Sequence, residues 1–399
     1  MKLKILLLAG CLFLGLTACG GGSDEPEAPA PEPTPTPNPT PDPTPDPTPD
    51  NTVSFYKGAD ISWITEMEKD GKKFYNASGQ ETDGFQLMKE LGMKAIRLRV
   101  WVNPEKAYGD YCNQSDVVAK AKRAKEAGME MMIDFHYSDF FADPSRQTKP
   151  AAWEGKSQTE LKTAVADHTT AVLKAIKEAG VTPKWIQIGN ETRNGMLWPE
   201  GQLWTEKGDI ANGWKNYATL SNAGYDATKK VFGDAIIIVH LDNAWGEKWE
   251  NGTTVEWGNL NWWFDDFKAA GGKFDMIGLS HYPENAIDTK WATMNDWEKV
   301  NTAAIKHIQL LANTYNCKVM VCEVGVKTQA NETTAAQVLT AFMSEAKKIE
   351  ACAGVFYWEP QVYGSWKPAY YTNLNWNAYD MGAFTSTGKP SKVMDAFKD

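Results

Sequence analysis

From residue 53 onward, short apolar runs alternate with longer stretches in which apolar residues recur every three or four positions, the first fitting buried strands and the second amphipathic helices. The runs Lys57–Ile61, Ala95–Trp101, Met131–His136, Trp185–Gly189, Ile236–His240, Phe274–Ser280, Val319–Glu323 and Val355–Trp358 read as strands. Several are apolar at successive positions, as strands buried on both faces of a parallel sheet are. Helical patterning fills Ser115–Ala127, Thr159–Ala179, Asn259–Ala269, Trp297–Tyr315 and Thr334–Ile349. Gly92, Gly128, Gly180, Gly233 and Gly271 stand where a helix would end before the next strand. Eight β-then-α units over about 345 residues predict an α/β architecture, a (β/α)8 TIM barrel with enlarged βα loops. A doubly wound open sheet is the competing arrangement, but no glycine-rich phosphate loop follows the first strand.

Ahead of this region the pattern changes twice. Lys2 and Lys4 precede an apolar run from Ile5 to Leu16, too short to span a bilayer, and Leu16-Thr17-Ala18-Cys19 ends it with small residues. This ending resembles the lipobox of bacterial lipoproteins, which implies a signal peptide at 1–18 and lipidation of Cys19; a plain secretory signal is the simpler alternative. Residues 19–52 are rich in Pro, Thr and Asp, bury no core, and predict an extended tether on the order of 80 Å long. Residues 53–399 are left as the catalytic domain. The expected location is the bacterial outer membrane, held by lipid alone, and Asp24 and Glu25 soon after the lipidated Cys favour the cell surface.

Charge narrows the partners. The whole chain carries −10, loss of Lys2 and Lys4 makes −12, and seven of those negative charges lie between Asp24 and Asp50, so −5 remains for the domain. A mildly acidic domain without a basic patch is not built for nucleic acid.

In a (β/α)8 barrel the chemistry sits at the C-terminal ends of the strands. Here those positions hold Asp60, Arg97, Arg99, Trp101, Asp134, His136, Asp139, Asn190, Glu191, His240, Asp242, His281, Tyr282, Glu323, Trp358 and Glu359. Glu191 and Glu323 end two separate strands, which suggests a two-carboxylate site. All 17 tryptophans follow the tether, and Trp63, Trp101, Trp198, Trp245, Trp358 and Trp366 fall at or beyond strand tips. Flat rings with a polar edge suit the apolar faces of sugars, so a glycan groove is expected. Trp262 and Trp263 lie within a helical stretch and read as core.

The segments Gly58-Ala59-Asp60-Ile61-Ser62, Arg97-Leu98-Arg99-Val100-Trp101-Val102-Asn103-Pro104, Asp134-Phe135-His136-Tyr137-Ser138-Asp139, Ala142-Asp143-Pro144, Ile188-Gly189-Asn190-Glu191, Leu197-Trp198-Pro199, His240-Leu241-Asp242 and Tyr357-Trp358-Glu359-Pro360 together resemble glycoside hydrolase family 53. These are endo-β-1,4-galactanases of clan A, which retain configuration. Asn-Glu after a strand is common to the whole clan; the full set, in order and spacing, is far more specific. The resemblance runs from Lys57 to the chain end and implies a galactan or arabinogalactan substrate from pectin side chains, no cofactor and no metal. It makes Glu191 the general acid/base and Glu323 the nucleophile, with Asn190 on the sugar 2-hydroxyl, Tyr282 positioning the nucleophile and Trp358 under the reacting sugar. Arg99 is expected to hold Glu323 ionised, and Arg97 to pair with buried carboxylates. Asp60, Trp101, His136, Asp139, Trp198, His240 and Asp242 are the remaining substrate-binding expectations. Some bacterial members carry a calcium-binding insertion after the seventh strand; Gly325–Thr333 is short and lacks a carboxylate cluster, so no calcium is expected there.

Other classes stay in view. A metal-dependent barrel hydrolase would use His136, His240 and His281, yet lacks a His-x-His at the first strand. A non-catalytic glycan-binding lipoprotein would normally have lost one of the two glutamates, and within clan A a mannanase, xylanase or cellulase is the nearest competitor. A monomer is the default for an enzyme acting on a long polymer. Among the cysteines of the domain, Cys322 is expected to point away from Glu323 into apolar packing. Cys317 and Cys352, near the barrel floor on adjacent strands, either form a disulfide or remain free.

Overall fold

The computed structural model describes residues 55–104, 109–246, 248–250, 253–256, 259–283, 297–328 and 331–398. The signal sequence, Cys19 and the tether expected above lie outside the described residues. Strands β1 (Tyr56–Asp60), β2 (Ala95–Val100), β3 (Glu130–Phe135), β4 (Trp185–Ile188), β5 (Ile236–Leu241), β6 (Met276–His281), β7 (Lys318–Val324) and β8 (Cys352–Trp358) pair in parallel in chain order, and β8 closes on β1. Helices α1 (Gly84–Glu90), α2 (Gln114–Glu126), α3 (Gln158–Glu178), α4 (Gly213–Val231), α5 (Asn261–Ala269), α6 (Trp297–Tyr315) and α7 (Glu332–Ala346) lie between them. Each expected strand is present within a few residues of its expected limits. Small antiparallel hairpins in the connections β4–α4 (Gly195–Asp209) and β5–α5 (Lys248–Glu256) are among the enlarged loops.

Alternation along the strands explains why both faces looked apolar. Ile96, Leu98 and Val100 of β2, Ile186 and Ile188 of β4, and Val319 and Val321 of β7 belong to the large outer core, where the helices pack. A separate inner cluster of Tyr56, Ala95, Met132, Trp185, Ile238, Met276, Met320, Cys322, Ala353 and Phe356 fills the lower barrel. Inward positions higher up are polar, with Asp60, Arg97, Asp134, Gln187 and His240 all fully buried. Such groups stand buried only when hydrogen-bonded to one another, so the upper barrel is one polar network on an apolar plug.

Local signals set the helix ends. Ser157 and Glu160 form a reciprocal capping box at the start of α3. Gly92, after α1, has φ 90, and an added Cβ there would run into the carbonyl oxygen of Phe397, so both backbone and space require glycine. The stretch before Gly233 ends differently, at Phe232 with φ −130, so Gly233 is not the cap that its position suggested. The chain end is stitched beneath β1 by the Lys57 ammonium, which donates to the carbonyls of Phe397 (2.9 Å) and Lys398 (3.0 Å).

Of the two outcomes left open for Cys317 and Cys352 the structure has the free thiols, while the expected orientation of Cys322 needs correction. Cys352 lies opposite Val319 in the β7–β8 register, two residues beyond Cys317, and this stagger separates the thiols. Cys322 belongs to the inner cluster and not to the outer packing. The cause is a bulge: Leu279 pairs with Val321 but Ser280 pairs with Glu323, leaving Cys322 as an extra residue in β7. A bulge breaks the two-residue alternation and re-aims the side chains beyond it, and this one turns Glu323 inward although Val321 faces out.

Candidate active site

Arg97 is the centre of the polar layer. Its Nη1 lies 2.8 Å from Asp60, and its Nη2 lies 2.8 Å from Asp134, 2.9 Å from Glu323 and 2.8 Å from the Asn190 side-chain oxygen. The guanidinium Nε donates to Gln187 Oε1 at 3.2 Å. The side chain that faces Glu323 is thus Arg97, where the sequence suggested Arg99. Both point inward from β2, with Arg97 the deeper and paired with buried carboxylates as expected, but depth says nothing of reach: Arg97 extends upward to Glu323, whereas Arg99 turns to the side toward Glu359.

Arg99 donates to Glu359 at 2.6 Å and is enclosed by the rings of Trp63, Phe141, Trp101 and Trp358, at 5.1, 5.0, 5.6 and 5.9 Å from its central carbon. Glu359 also accepts from the main-chain N–H of Trp63 (3.1 Å) and from the Gln361 amide (2.6 Å). Burial pushes the Glu359 carboxyl up to about 7 despite Arg99, and burial likewise pushes its neighbour Glu66 up to about 7. For Glu66 this has a measurable result. A carboxyl that binds its proton more tightly when folded than when unfolded loses stability as pH rises from about 4.5 to about 7, by at most about 3 kcal/mol. Glu66→Gln is expected to flatten that decline, so urea titrations should find the variant more stable than wild type at pH 8 and no more stable at pH 4.5.

Glu323 accepts a 2.7 Å hydrogen bond from the Tyr282 hydroxyl. Burial raises its carboxyl, but Arg97 and Tyr282 both pull the other way. Glu191 is raised further, by burial and then by the like charges of Glu323, Asp242 and Asp143, with only a hydrogen bond to Ser280 opposing. One carboxyl is therefore set against a cation and a hydroxyl, the other among carboxylates. This is the division of labour that a proton donor and an ionised nucleophile need. Glu191 lies three residues past the end of β4 and has φ 48, a left-handed backbone uncommon for a non-glycine residue. Its main-chain N–H points at His240 Nδ1, 3.3 Å away.

Asn190 is held on both sides. Its side-chain oxygen takes the Arg97 bond, and its Nδ2 donates to the carbonyl of Ala142 at 2.8 Å. His136 receives the Ala142 N–H on Nδ1 (3.0 Å) and faces Asp134 with Nε2 (2.9 Å). Burial, and then Arg97, lower the basicity of His240, whose Nε2 lies 2.9 Å from Ser280 Oγ. His281 faces the outer side, stacked on Phe342 at 4.2 Å and bonded to Asn301 at 2.8 Å. The three imidazoles suggested as metal ligands do not converge. Among the described residues no group of three or more His, Cys, Asp or Glu is arranged to hold a metal ion.

Several residues expected to touch substrate support the site from behind. Asp60, Arg99, Trp101 and His240 are at most 1% exposed, against 6% for Glu323. Asp139 spends both oxygens on main-chain N–H groups, Asn103 and Ala151, each at 2.9 Å, and organises loops. Asp242 pairs with Arg193 at 3.0 Å beside Glu191. Of the six strand-tip tryptophans, Trp63, Trp101, Trp245 and Trp366 are buried under the enlarged loops, and only Trp198 and Trp358 keep an accessible face. Trp358 is braced by Tyr379, whose ring lies 4.9 Å away and whose hydroxyl donates to the Trp358 carbonyl at 2.8 Å. Trp263 is core, as expected, while Trp262 remains half-exposed. Gln187 is a member of the network that the sequence did not single out. Its amide nitrogen reaches Asp134 at 2.6 Å and His240 Nδ1 at 3.0 Å, and a lone polar residue at inward parity in an apolar strand was the signal available.

The sequence profile described as Glycosyl hydrolase family 53 matches residues 56–397. An arabinogalactan endo-beta-1,4-galactanase of Thermothelomyces thermophilus is 30% identical over 365 residues, covering 86% of this chain and 98% of that protein. An uncharacterized protein from the bgaB 5' region of Niallia circulans is 40% identical over 230 residues; the match spans 58% of this chain and 59% of that protein. A solved structure from a study of two fungal beta-1,4-galactanases superposes with a TM-score of 0.68 at 28% identity, covering 86% of this chain and 98% of the other.

Proposed function

The chain belongs to glycosyl hydrolase family 53 and is a glycoside hydrolase, and from that premise we propose that it cleaves internal β-1,4-galactosidic linkages of galactan and arabinogalactan with retention, through Glu191 and Glu323. The observation that carries this reading is the opposite setting of the two carboxyls, with Glu323 between Arg97 and Tyr282 and Glu191 among like charges. In the first step a Glu323 oxygen bonds to the anomeric carbon as the bond to the leaving galactosyl oxygen breaks, and that oxygen takes the Glu191 proton. In the second, Glu191 accepts a proton from water, water oxygen bonds to the anomeric carbon, and Glu323 leaves as carboxylate. Asn190 has one Nδ2 hydrogen beyond its bond to Ala142 and donates it to the sugar 2-hydroxyl, a contact that strengthens as positive charge develops on the ring. Trp358 supplies the apolar floor and Trp198 a second platform further along the groove.

A panel of β-1,4-galactan, arabinogalactan, mannan, xylan and cellulose tests the substrate, with proton NMR following the first-formed anomer. Galactan is expected to be cleaved to short oligosaccharides that appear first as the β-anomer, with activity intact in EDTA. Preference for mannan, xylan or cellulose, or initial α-product, overturns the reading. We also propose that Cys19 carries lipid and holds the enzyme, as a monomer, on the outer face of the outer membrane, where a polymer too large to cross the envelope is met. The supporting feature is the small-residue ending at Leu16-Thr17-Ala18-Cys19 followed by the proline-rich tether. Cys19→Ala is expected to move the enzyme from the membrane to the soluble fraction; wild type that resists protease on intact cells argues against surface exposure.

A further inference from the structure

We propose that Gln147 is a positioning residue for the acid/base carboxyl, fixing the backbone of Glu191 and tying it to the Trp198 platform. This rests on the assignment of Glu191 as acid/base. Glu191 lies beyond the last paired residue of β4, so no ladder bond fixes it, and its left-handed backbone is disfavoured for a residue with a Cβ. Something outside the strand must hold it. The Gln147 side chain, 2% exposed, sends its amide nitrogen to the carbonyls on both sides of the Asn190–Glu191 step: Asn190 at 2.9 Å and Glu191 at 3.4 Å. The same nitrogen reaches the Asp143 carbonyl at 3.2 Å, closing the loop after β3 on itself.

The main chain of Gln147 does a second job. Its carbonyl accepts the Trp198 N–H at 2.8 Å, and the next residue, Thr148, forms a parallel bridge with Trp198. Trp198 in turn donates from its indole to the Asn194 carbonyl at 2.8 Å, three residues after Glu191. Residues 190–198 are therefore a closed excursion whose two ends are pinned to one glutamine. The side chain is used only through its donor end, since Gln147 Oε1 has no protein partner among the described residues. A leucine there would fill similar space and remove the donor without stranding an acceptor of its own. The three carbonyls would lose their common donor, and the Glu191 carboxyl would no longer be aimed at the leaving oxygen. Small misplacements of a proton donor cost rate because proton transfer needs hydrogen-bond reach.

The test separates aiming of the acid from general damage. Protonation matters for a poor leaving group such as a galactosyl hydroxyl and hardly at all for dinitrophenolate, which departs unaided. Gln147→Leu in the full-length enzyme is expected to lower kcat/KM on β-1,4-galactan about 10- to 100-fold, within the range that general acid catalysis supplies. On dinitrophenyl β-galactobioside the loss is expected to stay under about threefold, because kcat/KM reports the glycosylation step alone. Gln147→Glu, which keeps the size but turns an acceptor toward the carbonyls, is expected to behave the same way. Equal losses on the two substrates, no loss on either, or failure of both variants to fold overturns the inference. Glu191→Gln is the control: if it does not discriminate between the substrates, the acid/base reading itself fails; if it does and the Gln147 variants do not, only the positioning role falls.

Discussion

Glu323→Gln and Glu191→Gln are each expected to lower kcat/KM on β-1,4-galactan by ~10³-fold or more, with circular dichroism and melting temperature showing the fold intact. Loss of several kcal/mol of transition-state stabilisation results from removing either half of a pair that acts as a unit. The two variants should fail in different ways. An amide at 323 leaves the anomeric carbon without a nucleophile, and in Glu323→Ala, where the shortened side chain opens the space, small anions such as azide or formate should restore turnover with inverted product. An amide at 191 leaves the nucleophile intact and mainly spoils departure of poor leaving groups. Stability should not suffer at 323, because Arg97 still faces the carboxylates of Asp60 and Asp134 and one mutual repulsion has gone. Glu191 also loses the like charge that helped raise it, so residual activity in Glu323→Gln should show its basic limb at lower pH. Near-normal turnover by either variant on galactan would sink the assignment.

How far the sequence could be read depends on what each signal measures. Strand number and order were legible because parallel barrel strands are apolar on both faces and helices end at glycines such as Gly92 and Gly128, a pattern that survives without knowledge of neighbours. The two glutamates were legible for the same reason: each follows an apolar run at the barrel's open end. Reach was not. Arg97 and Arg99 share parity, and only the placement of β8 beside β1 decides that Glu359 takes Arg99 and leaves Arg97 to Glu323. The bulge at Cys322 was equally invisible, since it is a mismatch between β6 and β7 and not a property of either strand. Tryptophans at strand tips looked like platforms because nothing in a sequence says that a loop will fold over them; Trp63, for example, is enclosed by Phe141, Trp366, Tyr371 and Tyr379. Gln147 gave no signal at all, lying in a loop of ordinary composition and acting through main-chain carbonyls.

Arg97→Met is expected to have the second-largest effect, on stability and activity together. Wild-type Arg97 is fully buried against Asp60, Asp134 and Glu323, with its own charge favoured by those carboxylates in spite of burial. Substitution leaves Asp134 and Glu323 in the upper barrel without their arginine, and Asp60 with Arg99 alone, 4.0 Å away. Breaking a buried ion pair from one side costs about 3 to 5 kcal/mol because the abandoned charge stays desolvated. Asp134 and Glu323, which burial raises and Arg97 opposes, answer by keeping protons in the variant, and stability is lost as pH rises past the unfolded carboxyl range. Urea unfolding should therefore show a deficit that widens from pH 5 to pH 8, whereas loss of a neutral side chain would give one independent of pH. Activity should fall for the same reason, since a protonated Glu323 does not attack. Arg97→Lys should recover much of the stability but not the rate: a point charge cannot reproduce the fork that serves Asp60 with one nitrogen and Asp134, Glu323 and Asn190 with the other. A pH-independent deficit in Arg97→Met, or full activity in Arg97→Lys, would show that the cluster is held by packing and hydrogen bonds and not by this charge.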